Sequence, residues 1–154
     1  MFLLTLATAA MLGTIILITH KSCHTARLKD KITPQSVYKI IKADDYLPHA
    51  QDNCINHSEM DKTAGFIHAS FGTQILPTLD KFFHHKSHVI LLELDTAALA
   101  NHGTQVVVEQ NKPNGSFYPH LHGSQAIPSL AIIKLIHIKK RADGAWHVTK
   151  QELV

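Results

Sequence analysis

The chain is 154 residues long, 45% hydrophobic and 18% charged, with a formal net charge of +3. That length fits one domain with a sizeable core. The small, scattered positive charge does not indicate nucleic acid, which asks for a basic stripe or patch, and two cysteines (Cys23 and Cys54) without a CxxC pair exclude a disulfide framework.

No charged side chain occurs before Lys21, and residues 2–19 read FLLTLATAAMLGTIILIT. At 1.5 Å per residue such a stretch just spans a bilayer core as a helix. A cleaved signal peptide, giving a secreted or periplasmic protein, is the competing reading. It calls for a basic start and small residues just before the cut. Here the start carries no Lys or Arg, the small cluster at 7–10 comes too early, and His-Lys-Ser-Cys-His follows Thr19. The reading adopted is a retained signal anchor over 2–20. Lys21, Arg27, Lys29 and Lys31 flank its C-terminal side, so the positive-inside tendency makes this a single-pass membrane protein with its domain facing the cytoplasm. Residues 21–35 are a polar linker, and 36–154 form one domain.

Within the domain, 36–41 has strand character and 43–50 suggests a short helix broken at Pro48. The polar stretch 51–62 reads as loop. Residues 65–68 form a short strand ending in His68. A helix is expected over 70–83, capped by Ser70, with Ile75, Leu76, Leu79, Phe82 and Phe83 as its core-facing stripe and a bend at Pro77. HVILLEL (88–94) is too apolar to expose either face. Asp95 caps a short turn or helix through Ala100, 104–109 is a strand, and NKPNG (111–115) is a loop. Residues 131–138 and 145–149 close the chain as a hairpin around Asp143-Gly144. The pattern is that of a small mixed α+β domain.

Three places attract chemistry. His68 and Ser70 sit at a strand-to-helix junction, where helix amides favour anions; capping by Ser70 and a satisfied core histidine explain the same residues. Phe117-Tyr118-Pro119-His120-Leu121-His122-Gly123 places two histidines on one face of an extended segment, as metal ligands, an acid/base pair or a nucleotide clamp; a rigid loop with rings facing water is the plain alternative. Glu109 ends the run Val106-Val107-Val108, a place for an active-site carboxylate or for a merely solvated strand end. His84-His85-x-x-His88 straddles a helix end and a strand start with no acid or cysteine nearby, so zinc is not expected there. HExxH, GxGxxG, the P-loop and GxSxG are absent.

Val37-Tyr38-Lys39-Ile40, Gly65-Phe66-Ile67-His68-Ala69-Ser70, Gln74, Thr78, Phe82/Phe83 and the Pro119-His120-Leu121-His122-Gly123 element, in that order, resemble the domain-of-unknown-function 952 family. Its members typically read YKI, DGFIHLS, a Q-x-x-x-T helix, a strand ending in WE, and FPHLYG. The likeness covers about 36–135. This chain departs at Ala64 (an acid in the family), Ala69 (Leu), Val108 (often Trp) and His122 (Tyr), and it carries one extra residue before Pro119.

The family is similar in fold to the ADP-ribosyltransferase superfamily, with split β-sheets and flanking helices around a nicotinamide-dinucleotide cleft. The resemblance implies that His68 holds a ribose hydroxyl and that Ser70 with helix amides meets phosphate. It further implies that Glu109 orients the ribose or stabilises an oxocarbenium-like centre, and that His120 faces the same cleft. With only Arg27 and Arg141 in the chain, a pyrophosphate clamp rests on Lys39, on histidines such as His122 and on backbone amides. The leading expectation is a membrane-anchored domain that binds NAD or ADP-ribose, with transferase or glycohydrolase chemistry and no metal. A non-catalytic nucleotide-binding or scaffold module is the alternative, and a metal site of His68, His120 and His122 is the third reading.

Overall fold

The computed structural model describes residues 28–46, 53–124 and 126–154. The expected anchor over 2–20 and Cys23 lie outside these residues. Among the described residues no helix is long and apolar enough to cross a membrane, and Cys54 is a free thiol.

The described residues form a small α+β domain with three antiparallel sheets. The largest contains β1 (Val37–Lys42), β4 (Ser70–Phe71), β5 (His88–Leu94), β9 (Ile132–Lys140) and β10 (Trp146–Leu153), in the order β10-β9-β5-β1-β4. Alternation along a strand sends successive side chains to opposite faces. Both faces of this sheet are covered. Val37, Ile41, Ile90, Leu92 and Leu135 join one buried cluster, while Tyr38, Ile40, Val89, Leu91 and Ile136 join the other, with Ile75 and Leu79 from the helix Ile75–Phe82. The doubly apolar HVILLEL run is therefore the middle strand of a sandwiched sheet.

A second sheet has the order β3-β7-β6, formed by β3 (Ile67–His68), β7 (Phe117–His122) and β6 (Gln105–Gln110). A third pairs β2 (Cys54–Asn56) with β8 (Ala126–Pro128). Ile67 and Leu121, opposite one another across β3 and β7, face the first core cluster. His68 and His120, the next opposed pair, lie on the other face.

Several expectations are corrected. The stretch 51–62 is not all loop, since it contains β2 and the start of a helix, Glu59–Ala64. That helix is too short and polar for an apolar stripe to reveal it. It is held by a capping box in which the Ser58 side chain accepts from the Asp61 amide and Asp61 accepts from the Ser58 amide. Gly65 ends it in the left-handed conformation, at φ 80°.

The helix expected from Ser70 starts five residues later, at Ile75. Ser70 and Phe71 are drawn into β4, opposite Tyr38 and Val37 of β1. One 3-10 turn follows, and the Gln74 side chain, not Ser70, accepts a hydrogen bond from the Phe71 amide at 2.9 Å. Pro77 then falls in the first helical turn, where an N–H has no intrahelical partner to lose, so the helix accommodates it. Of the helix expected over 43–50, residues 43–46 are helical and the others lie outside the described residues. The closing hairpin is longer than its expected 131–138 and 145–149.

Candidate functional site

Asp61 organises the first half of the site. Its side chain is fully buried, and Oδ2 receives the Lys39 ammonium at 2.7 Å, the Ser58 hydroxyl at 2.7 Å and the Ser58 amide at 3.1 Å. Oδ1 accepts from the His68 backbone at 3.0 Å and meets His68 Nδ1 at 2.8 Å. Burial opposes the charge, yet the His68 hydrogen bonds and the Lys39 ammonium outweigh it and hold the carboxyl well below the usual carboxylate range. Burial pulls the Lys39 ammonium down, against the raising effect of Asp61. Lys39 also donates to the His68 carbonyl at 3.1 Å, so strand β3 is tied to β1 by one shared ion pair.

Glu109 organises the second half. Its Oε1 lies 2.9 Å from His120 Nδ1 and 2.7 Å from His122 Nε2. These hydrogen bonds, that from His122 first, lower the carboxyl. Register explains the meeting: Glu109 stands opposite Tyr118, and Val107 and Gln105 stand opposite His120 and His122, so all lie on one face of the β6–β7 ribbon. The His120 side chain is only 4% exposed, whereas Glu109 and His122 are 40% and 37% exposed. Phe66 stacks on His120 with ring centroids 4.2 Å apart, and lies 4.8 Å from His68 and 5.1 Å from His122. The His68 and His120 rings meet edge to face at 5.4 Å.

The two halves therefore share a design. A carboxylate accepts from Nδ1 of each ring, which orients the ring and leaves Nε2 clear of that carboxylate. Among the described residues neither Nε2 has a hydrogen-bond partner.

Both rings line a cavity of about 620 Å³. Ser70, Thr78 and Tyr118 are among its lining residues, as are Ile40, Ile41, Ile55, Phe82 and Phe83. Lys42, Lys81, Lys86 and Lys112 also line it. Lys42 is paired with Asp45 at 3.2 Å, and Asp45 is the one acidic residue among the lining side chains. The lining is thus mostly apolar, with several lysines and a single acid.

Residues 40–135 match the family described as "Protein of unknown function (DUF952)". The chain belongs to the DUF952 family. The fold of this DUF952 domain is also similar to that of protein CC0527 from Caulobacter crescentus. In the crystal structure of CC0527 the TM-score is 0.60 at 22% identity, over 73% of this chain and 94% of that one. In its solution NMR structure the TM-score is 0.59 at 23% identity, over 71% and 90%. Among curated proteins no relative matches.

The DUF952 site brings His68, Glu109, His120 and His122 together, with Lys39 and Ser70 beside the cavity. It reassigns several of them. Ser70 is not a helix cap; it is buried, with its hydroxyl 3.5 Å from that of Thr78. Lys39 is committed to Asp61 and is not a free cation. Glu109 is absent from the cavity wall and reaches it through His120. The expected metal trio of His68, His120 and His122 does not form, because His68 offers no donor atom to the group that converges beside it. The cluster with metal-ligand geometry among the described residues is Glu109, His120 and His122.

Sequence reasoning missed Asp61, although Ser58-x-x-Asp61 is a capping-box signal. It stands one helical turn before Ala64, the position where the family's acid is lacking. The lysines around the cavity were missed too, since they are scattered along the sequence.

Proposed function

We propose that this DUF952 domain binds an anionic, nucleotide-like small molecule in the cavity, with NAD and ADP-ribose as the type ligands. The observation that carries the reading is the pair of imidazoles on the cavity wall, each fixed by its own carboxylate and each free at Nε2 among the described residues. The apolar part of the lining suits a base or nicotinamide ring. Lys81, Lys86 and Lys112 suit phosphates as point charges, a role the sequence assigned to Ser70 and helix amides. In this reading His68 and His120 hold ribose hydroxyls, and Glu109 acts as a positioning residue for His120. This reading also keeps the ADP-ribosyltransferase likeness as its guide to ligand class, by analogy of fold.

A second reading, binding without turnover, is favoured by one fact. The Glu109 carboxylate is engaged by two imidazoles and does not line the cavity, so it cannot face an oxocarbenium-like centre directly.

Calorimetry of the full chain against NAD, ADP-ribose and a 2′-phosphorylated nucleotide tests the proposal. Saturable binding that weakens at least tenfold in His68→Ala and His120→Ala is expected. No binding at millimolar ligand by the folded wild type would overturn it. Chromatographic assay for released nicotinamide separates the two readings: turnover lost in Glu109→Gln indicates chemistry, and its absence in wild type indicates a binding module. The N-terminal anchor belongs to the proposal as well, and alkaline extraction of membranes should leave the full chain in the pellet.

A further inference from the structure

The geometry points to a divalent zinc-type cation site at Glu109, His120 and His122, beside the cavity and sharing His120 with it. One oxygen and two imidazole nitrogens converge there, with no two of the three donor atoms more than 4.8 Å apart. A four-coordinate zinc ion with bonds of about 2.1 Å holds its donors roughly 3.4 Å from one another. The present separations of 2.9 and 2.7 Å are hydrogen-bond lengths, so the carboxylate oxygen must withdraw by about half an ångström as the two rings close on the ion.

The side chains differ in the way such a shift requires. His120 is buried and stacked on Phe66, and is the fixed ligand. Glu109 and His122 are more than a third exposed, and are free to turn. The strands beneath are held in register from Gln105↔His122 to Gln110↔Phe117, which supplies a rigid base.

The donor set selects the ion. Two imidazoles and one carboxylate suit zinc, cobalt or iron, whereas calcium and magnesium prefer all-oxygen ligands. Three protein ligands leave a fourth position for water, and the exposed side of Glu109 and His122 is open to supply it. His68 takes no part, since the donor atoms that converge here are those of Glu109, His120 and His122 alone.

Full-length protein stripped with a chelator and titrated with zinc chloride by calorimetry tests the site, with cobalt absorption in the visible as a second reading. The expected result is one ion held here, with affinity reduced at least tenfold in both Glu109→Gln and His122→Ala. Affinity should be unchanged in His68→Ala and His84→Ala. Circular dichroism checks that each variant is folded. Absence of saturable zinc binding by the wild type would overturn the proposal. So would affinity that survives Glu109→Gln and His122→Ala, as zinc held by His84 and His85 would. Because His68→Ala weakens the nucleotide and spares the ion, the two proposals fail separately.

Discussion

His68 and His120 each lean Nδ1 on a carboxylate, at 2.8 and 2.9 Å, but the two carboxylates have opposite surroundings. Asp61 is sealed in the protein and shared among Lys39, Ser58 and His68. Glu109 stands on an edge strand, partly in water, and serves two imidazoles. The first is a structural joint that also orients a ring. The second is an adjustable arm that orients a ring. The same pair of functional groups thus gives rigidity where solvent is excluded and exchangeability where it is not.

The largest expected effect breaks the buried half. Asp61→Asn leaves the Lys39 ammonium unpaired and buried, and removal of one partner from such a pair typically costs about 3–5 kcal/mol. A denaturant midpoint measures it. Lys39→Met combined with Asp61→Asn should recover much of the loss, and failure to recover would show that Ser58 and His68, not the ammonium, depend on Asp61.

Next comes Gly123, which closes the strand carrying His120 and His122. Its φ is +106°, and an added Cβ would press into the Gly103 carbonyl oxygen, so Gly123→Ala should cost about 1–3 kcal/mol by strain. Thermal unfolding should show the shift.

The acid limb of stability sharpens the comparison further. Asp61 lies well below its ordinary value in the folded chain, so below the ordinary carboxylate range the unfolded chain binds a proton that the folded chain refuses. Stability is therefore fully present above that range, and it is lost progressively as pH falls below it toward the depressed folded-state value. Asp61→Asn should reduce this slope by more than Glu109→Gln does, in urea titrations run at successive pH values. Equal reductions would erase the distinction between the halves. The smallest effect is expected at the exposed arm, where His122→Ala should change stability by no more than about 0.5 kcal/mol.

Much of the frame was legible in the sequence because its signals are local. HVILLEL announces a strand buried on both faces, and Asp95 caps the helix Thr96–Asn101 by accepting from two of its amides. The short strands β2, β4 and β8 were harder, since two or three residues carry no period and owe their state to the partner they pair with. Ser70 shows the limit well. Its sequence neighbourhood favours a cap, and a tertiary pairing with Tyr38 overrides that preference. In the site, His68, Glu109 and His120 stood out as residue types. That Glu109 serves both His120 and His122 depends on the β6–β7 register, and that Lys39 answers Asp61 depends on packing between β1 and the capped helix. Neither dependence is written in local spacing.

Phe66 makes the whole arrangement visible to a simple spectroscopic probe. Its ring lies against three imidazoles at centroid distances of 4.2 to 5.1 Å, and is nearly parallel to that of His120. Protons held over an aromatic face are magnetically shielded. The carbon-bound proton signals of His120 are therefore displaced upfield from those of surface histidines such as His84 and His85, and any occupant that parts the stacked rings moves them back. Proton resonance alone, without isotopes or labels, reports whether the centre is closed or engaged.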